Sequence, residues 1–376
     1  MKYIWQCKSW PKLTWNSDPL LSLLGQSRLS QGDLLSRVKR LGFKLGEEAQ
    51  ADILTEEAIK TSAIEGERLN RQAVRSSVAR HLGLPTAGLG PTTRSVDGLI
   101  EMLLNATQNY DEPLTAERLK GWQAALFPSG HSGLHKIRVG QWRGNEPMRV
   151  VSGPVGREKI HFEAPPGDMV DTEMRNFFAW WKSDARKIDG ILRAGLAHFY
   201  FVTIHPFEDG NGRIARALTD MALAQDEKLG TRYYSISSQI MEERDEYYEA
   251  LEKCSKSYHA DVTTWLVWFL GCYQRAVKRS DRIIRDVLSE SDFWQQHAQT
   301  VMNERQKKVI NRVLEAGQGN FTGGLTTRKY VSIAKVSRAT AFREISYMLA
   351  KKILRPLPGK GRSVHYDLVW PQPGNR

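Results

Sequence analysis

The chain reads as a mainly α-helical protein, and three observations lead there. Apolar residues make up 41% of the sequence and recur at the 3.6-residue spacing of a helix with one buried face. Alternating stretches that would make strands are few, and Gly- or Pro-rich breaks divide the periodic segments. At 376 residues the chain exceeds what one core usually serves, so two or three domains are expected.

In chain order, Gln31 to Leu45 and Glu47 to Asn70 carry helical patterns, the second holding TEEAIKTSAIEGERL. Leu84 to Thr93, LPTAGLGPTT, is a linker or long loop. Residues 1–90 therefore form an N-terminal helical region whose first thirty residues have no assigned element. Residues 91–280 follow as a second domain, with helices at Val96–Gln108, Thr115–Leu126, Asp168–Ser183, Ile188–Phe201, Arg213–Asp226, Arg244–Lys256 and Val262–Lys278. One segment departs from this pattern. RVVSGPVGREKIHFEAPP places two short β-prone runs, Arg149–Ser152 and Lys159–Phe162, across a Gly/Pro turn, which spells a β-hairpin with a Pro-Pro stop. A helix from Ser280 to about Gln299 fills the connecting segment 281–300. The last domain, 301–376, has helices near Asn303–Ala316, Thr326–Ala334 and Ser337–Lys352. Ser337 is a natural N-cap, and the spacing puts Phe342, Ile345 and Leu349 on a buried stripe with Arg338, Thr340 and Arg343 facing outward.

The net charge of +12 is unevenly spread, because residues 301–376 carry 15 basic and four acidic side chains. A cationic tail thus joins a nearly neutral body, and an anionic partner is expected for the tail. The three cysteines, Cys7, Cys254 and Cys272, show no CxxC spacing, so no disulfide framework or thiolate zinc site is encoded and a cytoplasmic protein is expected. The N-terminus has no secretory h-region, and the longest apolar run, Trp265 to Tyr273, is too short to cross a membrane.

The densest chemical signal is His205-Pro-Phe-Glu-Asp-Gly-Asn-Gly-Arg-Ile-Ala-Arg216. Gly210 and Gly212 allow a tight turn with exposed N–H groups, and the helix starting at Arg213 aims its N-terminus at the same spot. Arg213 and Arg216, three apart, share one face of the first turn and suit phosphate oxygens. Asp209 is a hard oxygen ligand suited to Mg²⁺ on those phosphates, and His205 can accept a proton near neutral pH. Together they describe a nucleoside-triphosphate site in which a base activates a nucleophile. No GxxxxGK[ST] string occurs, so a P-loop is not indicated.

HPFEDGNGRIAR resembles the HxFx[D/E]GNGRxxR signature of Fic (filamentation induced by cAMP) domain proteins at every defined position. The resemblance implies transfer of AMP from ATP to a Ser, Thr or Tyr hydroxyl of a target protein, with release of pyrophosphate. It makes His205 the base, Asp209 the Mg²⁺ ligand and Phe207 the anchor of the loop. Gly210, Asn211 and Gly212 become the anion hole for the α-phosphate, with Arg213 and Arg216 on the β- and γ-phosphates. The hairpin resembles the family's target-aligning flap, with Lys159, Ile160 and His161 as its candidate contacts. Asp245 to Leu251 resembles the segment whose tyrosines border the adenine, which makes Tyr247 and Tyr248 candidates, one facing the nucleotide and one the core. Ser255 stands where many relatives carry Asn, so base selectivity stays open.

Thr61-Ser-Ala-Ile-Glu65-Gly66 resembles the family's inhibitory motif [S/T]xxxE[G/N] on a helix spanning about 47–70. The resemblance implies that Glu65 pairs with Arg216 and denies it to the γ-phosphate, while Thr61 holds the helix in register. The tail resembles a winged helix-turn-helix, with the segment 359–364 as wing. Arg338, Arg343, Lys351, Lys352, Lys360 and Arg362 are its candidate nucleic-acid contacts, against a reading in which the same fold docks protein or dimerises. The expected partners are ATP, a hydroxyl-bearing target protein, DNA through the tail and a second copy of the chain, without a membrane. Two alternatives to an autoinhibited AMP transferase remain: a DNA-binding regulator whose Fic domain senses nucleotide, and an enzyme that removes AMP.

Overall fold

The computed structural model describes residues 3–41, 43–85, 90–152, 159–257, 259–314, 316, 321–358 and 364–370. It comprises two compact units, Met1–Ser280 and Asp281–Arg376. No helix among the described residues is long and apolar enough to cross a membrane, and Cys7, Cys254 and Cys272 are free and buried.

The first unit opens with α1 (Asp18–Val38), α2 (Phe43–Ile64) and α3 (Arg71–His81). The expected helix across Gln31–Leu45 is divided, because the chain turns at Lys39–Leu41 and α1 instead begins at Asp18, with a proline in its first turn. The expected helix to Asn70 stops at Ile64, followed by Gly66 at φ +86°. Asn70 begins a helix rather than ending one. Its side chain accepts from the backbone N–H groups of Gln72 and Ala73, which is N-cap chemistry at the start of α3.

α4 (Arg94–Gln108), α5 (Ala116–Leu126) and α6 (Val170–Lys182) surround a central pair, α7 (Gly190–Ile204) and α8 (Asn211–Glu227), which are buried on nearly all sides. A short strand pair that the sequence pattern did not reveal, β1 (His131–Ser132) with β2 (His135–Lys136), follows α5. The hairpin forms as read: β3 (Arg149–Ser152) runs antiparallel to β4 (Lys159–Glu163), with an irregular register between Val150 and Val151. The residues before α1 pack at its base. Tyr3 sets its ring edge against Phe162 at 5.3 Å, and the Trp5 indole donates to the Glu163 carbonyl at 2.8 Å.

α9 (Ile236–Glu242), α10 (Arg244–Ser255) and α11 (Thr263–Gln296) complete this unit and lead out of it. The sequence reading divided α11 near Ser280, but no Gly or Pro stands between Cys272 and Gln296, so nothing ends the helix there. α2 is tied to α9 by a buried carboxylate. Glu57 accepts hydrogen bonds from Ser235 Oγ at 2.7 Å, from the Ser237 N–H at 3.2 Å and from the Ser237 hydroxyl, at the N-terminus of α9.

The second unit contains α12 (Glu304–Leu314), α13 (Thr327–Ala334), α14 (Arg338–Ala350) and the antiparallel strands β5 (Leu354–Pro356) and β6 (Tyr366–Leu368). Val309, Ile310, Val313, Tyr330, Ile345, Met348 and Leu368 belong to its core. Ser337 caps α14, its side chain accepting from the Thr340 N–H at 3.2 Å. The buried stripe of α14 differs from expectation by one position, since Ala341, Ile345 and Met348 face the core and Phe342 is 65% exposed. The cause is Glu344, which shares the inward face because the Tyr330 hydroxyl, Asn303 and Arg305 all donate to it. Lys360 and Arg362 lie outside the described residues.

Replacing Glu57 by Ala would leave the Ser235 and Ser237 donors buried without an acceptor, at a cost of about 2 kcal/mol. Urea denaturation of the two proteins measures it, and an unchanged midpoint would show that the α2–α9 tie carries no stability.

Candidate active site

The site is built where α7 ends and α8 begins. His205 terminates α7 in the left-handed region, φ 52° and ψ 58°, its N–H donating to the Phe201 carbonyl at 3.0 Å. The loop then folds around Asn211. The Asn211 amide donates to the Phe207 carbonyl at 2.8 Å, and its oxygen accepts from the Phe207 N–H at 3.0 Å. The Asn211 side chain is thereby committed to loop shape, and what it offers an anion is its backbone N–H at the first position of α8. Phe207 is fully buried against Trp142, ring centroids 4.8 Å apart. Gly210, at φ 91°, precedes α8, whose first N–H groups have no acceptor within the helix.

The chemistry of His205 follows from its contacts. Its Nδ1 lies 3.2 Å from the Val202 carbonyl, which can only accept, so Nδ1 carries the proton and Nε2 is the basic nitrogen. Burial pushes its pKa below the ordinary 6.5; the Val202 hydrogen bond opposes this, the Arg143 charge adds to it, and Glu65 and Asp209 oppose it. The ring is neutral at pH 7.

Arg143 is a site residue that sequence reasoning missed. It is 5% exposed; its Nε donates to the His205 carbonyl at 2.8 Å, its Nη2 donates to the Pro165 carbonyl, and its backbone N–H donates to the Pro206 carbonyl at 2.8 Å. One guanidinium thus joins the end of the hairpin segment to the turn that carries His205. Nothing in the spacing around Gly140-Gln-Trp-Arg143 signals this, because its partners lie 22 and 62 residues away.

Asp209 accepts from the Ser132 hydroxyl and from the Gly210 N–H, and its Oδ1 is 3.9 Å from Arg213 Nη2. Among the described residues no three His, Cys, Asp or Glu side chains gather as a metal cluster. A single carboxylate on a half-exposed loop fits Mg²⁺ held largely by phosphate oxygens and water. Arg213 lies over the Phe127 ring at 4.9 Å and donates to Glu67 Oε2 at 3.0 Å, a carboxylate just past the Thr61–Gly66 motif.

Arg216 is 1% exposed, and the C-terminal end of α2 engages two of its three nitrogens, leaving Nη1 buried without a partner among the described residues. Its Nε donates to Thr61 Oγ1 at 2.6 Å, and its Nη2 donates to the Thr61 carbonyl at 2.9 Å and to Glu65 Oε1 at 2.7 Å. Burial works against this cation most strongly, yet Glu65 together with Tyr247 and Tyr248 turns the net shift of the Arg216 pKa upward. The same carboxylate lies against Gly212, where an added Cβ would meet Glu65 Oε1 at 2.0 Å. Only glycine leaves room there. The end of α2 is held from α10: the Ile64 carbonyl accepts from Arg244 Nη2 at 3.2 Å and from the Tyr248 hydroxyl at 3.4 Å.

Tyr247 and Tyr248 separate as their adjacency required. Tyr247 is 3% exposed, and its hydroxyl sits 2.9 Å from Nε2 of the fully buried His198. The Thr219 hydroxyl donates to the Ala215 carbonyl, so it accepts from His198 Nδ1, and Tyr247 must donate to Nε2. Burial, with Arg216 nearby, pushes the His198 pKa down to about 3. Tyr248 stays half-buried, with Arg244 5.0 Å above its ring. Ser255 is buried and donates to the Glu252 carbonyl.

On the hairpin, Lys159 stands in β4, and Ile160, 37% exposed, pairs with Val151, 47% exposed. His161 Nδ1 lies 2.7 Å from Glu252 Oε2 on α10. Arg338 and Arg343 belong to the other unit.

A helical domain whose central helix pair frames a His-to-Arg anion loop beside a hairpin defines a class, and comparison with known proteins gives it a family. Residues 113–223 match the Fic/DOC family, and residues 3–84 match the Domain of unknown function (DUF4172). The chain therefore carries a Fic/DOC family domain. The protein adenylyltransferase Fic of Nematostella vectensis is 28% identical over 221 residues, covering 58% of this chain and 46% of that protein. That of Drosophila melanogaster is 28% identical over 171 residues, covering 43% and 33%. The chain thus spans less than half the length of these curated relatives. A Fic family protein from Desulfovibrio desulfuricans G20 superposes with a TM-score of 0.53 at 18% identity, covering 96% of this chain and 99% of that one. A Fic domain containing signaling protein from Bacteroides thetaiotaomicron gives 0.53 at 18%, covering 69% and 97%. At that identity the shared feature is the fold, mostly helical with small strand pairs.

Replacing Arg143 by Met removes a cation that lowers the His205 pKa, so that pKa rises. The acidic limb of any His205-dependent activity then moves to higher pH, besides a fall in rate. A pH profile of both proteins reads this directly; a uniform loss at all pH values would assign Arg143 to folding alone.

Proposed function

We propose that the chain is a Fic-type protein adenylyltransferase, transferring AMP from ATP to a Ser, Thr or Tyr hydroxyl of a target protein, and that Glu65 restrains it. The observation carrying this reading is the convergence, within one loop and one helical turn, of a neutral His205 with a free Nε2, the N-terminus of α8, and the guanidiniums of Arg213 and Arg216. The relatives' names supply the transferase class.

In this mechanism His205 Nε2 takes the proton of the target hydroxyl as its oxygen attacks the α-phosphorus. The new O–P bond forms while the α–β bridging bond breaks, and pyrophosphate leaves. The N–H groups of Asn211 and Gly212 receive the charge developing on the α-phosphate oxygens, where fixed donors act most strongly. Arg213 and Arg216 orient the departing phosphates. Asp209 would hold Mg²⁺, which neutralises phosphate charge when bound. Val151 and Ile160, facing outward from the hairpin, present an edge and an apolar grip to an extended target segment.

The brake is electrostatic and steric. Glu65 places an anion over Gly212 and on Arg216, the space and the cation that a γ-phosphate needs. Removing it with Glu65→Gly should raise self-labelling from α-labelled ATP roughly tenfold or more, since hydrogen bonds to charged groups contribute about 1.5–3 kcal/mol. Equal labelling by wild type and variant would remove the brake. His205→Ala should lower labelling of the Glu65→Gly background by roughly a hundredfold or more, and undiminished labelling would remove His205 from catalysis. Mass spectrometry of the labelled protein, seeking AMP on a hydroxyl residue, checks the product.

A further inference from the structure

Residues 3–14 form a strap ahead of α1, and the chemistry above uses none of them. One 3₁₀ turn, Ile4–Gln6, interrupts it. The strap is pinned along its length. The Thr14 N–H donates to the Ala260 carbonyl and the Thr14 carbonyl accepts from the Val262 N–H, both at 2.9 Å, which fixes its far end just before α11. The Trp10 indole donates to Glu173 Oε2 on α6 at 2.8 Å, and its ring edge meets Tyr200 on α7 at 5.0 Å. The Cys7 thiol donates to the Ser257 carbonyl at 3.2 Å, just past α10, and Ile4 is fully buried. A chain end secured this often is a structural part rather than a loose tail.

What the secured strap supports is the hairpin. Tyr3, Phe162 and Ala164 form a small apolar cluster, with Trp5, Met148 and Val150 packed against it. Val150 and Phe162 are cross-strand partners, so the cluster lies under the hairpin while Val151 and Ile160 remain exposed. The Trp5 indole fixes the register of strap against strand through its hydrogen bond to the Glu163 carbonyl. A two-stranded hairpin alone is marginal in water and needs packing against one face. Tyr3 and Trp5 supply that packing. Arg143 at Pro165 and Glu252 at His161 hold the same hairpin through polar groups.

We propose that Tyr3 and Trp5 are positioning residues for the hairpin, and that the strap thereby sets how AMP is partitioned between a protein hydroxyl and water. This rests on the AMP-transfer reading. The strap acts through the hairpin, whereas the groups of residues 205–216 are held separately by Arg143, Trp142 and the end of α2. With the hairpin held, a target oxygen is aligned with the α-phosphorus and takes the AMP. With the hairpin slack, a water oxygen forms the bond to phosphorus instead, gives its proton to His205 Nε2 and displaces the same pyrophosphate, so that AMP is released free. The chemical step persists and its acceptor changes.

The test uses the full chain in the Glu65→Gly background with α-labelled ATP and Mg²⁺, protein-bound label and free AMP being measured separately. Trp5 has no hydroxyl, so replacing it removes no acceptor. Trp5→Ala should lower protein-bound label roughly tenfold or more while free AMP is maintained or rises. Trp5→Phe, which keeps a ring without the N–H donor, should recover part of the labelling. Hydrogen exchange gives a readout independent of activity: the amides of Lys159–Glu163 should exchange roughly fivefold faster in Trp5→Ala, the effect of one lost hydrogen bond, with those of residues 205–216 unchanged. An equal fall of label and free AMP overturns the proposal, since the strap would then serve the fold as a whole. Unchanged labelling or unchanged exchange in the hairpin overturns it too. A Glu65→Gly parent that forms neither labelled protein nor AMP removes the AMP-transfer reading and the partition with it, and that outcome is seen before Trp5 is altered.

Discussion

A buried guanidinium governs the arrangement of the catalytic unit. Arg216 sits on α8 with 1% of its surface accessible, and a cation in that position is tolerated only when its donors are met and its charge is balanced. The end of α2 balances the charge through Glu65 and meets Nε and Nη2 through Thr61 and Glu65, while Nη1 is buried without a partner among the described residues. α9 and α10 keep that helix in place: Arg244 and Tyr248 hold the Ile64 carbonyl, and Glu57 is fixed at the N-terminus of α9. Anything that binds an anion at Arg216 must contend with a partner already seated there, which is why the proposed brake and the stability of the unit share the same atoms.

The loop between α7 and α8 shows a second economy. A histidine in the left-handed region and a glycine at positive φ would give a floppy turn if left alone. Asn211 closes the loop on Phe207, Phe207 is buried against Trp142, and Arg143 grips the His205 and Pro206 carbonyls. Neighbours outside the loop thus hold the backbone that positions His205. Because Arg143 also holds the Pro165 carbonyl, the hairpin that would present a target is tied mechanically to the base that would act on it.

Charge is divided between the units along the same lines as chemistry. The first unit, with 37 basic and 34 acidic side chains, is close to balance and places two of its guanidiniums, Arg213 and Arg216, at the anion loop, whereas the second, with 17 basic and eight acidic, carries +9 of the net +12. Few, placed and buried charges suit catalysis, where geometry decides; many exposed charges suit recognition of a polyanion, where summed field decides.

The sequence by itself determined the helical class, the hairpin, the anion loop and the candidate brake, because each rests on local order: periodicity, turn residues and short motifs whose members lie within one or two helical turns. It also identified Ser337 as a cap for the same reason. It did not reveal Arg143, Ser132 or Glu67, whose roles arise only from partners tens of residues away. It misplaced Phe342 as well, since a stripe of apolar spacing cannot anticipate that Glu344 is drawn inward by Tyr330 and Arg305. The helix ends at Val38 and Ile64 and the continuity of α11 through Ser280 also differ from the periodicity reading, although Gly66 beyond Ile64 and the lack of Gly or Pro between Cys272 and Gln296 are local signals. The family resemblance pointed to Glu65 on Arg216, but the 2.7 Å contact and the packing of the same carboxylate against Gly212 came only from the tertiary structure, because positions 65 and 216 meet only when the unit between them is folded.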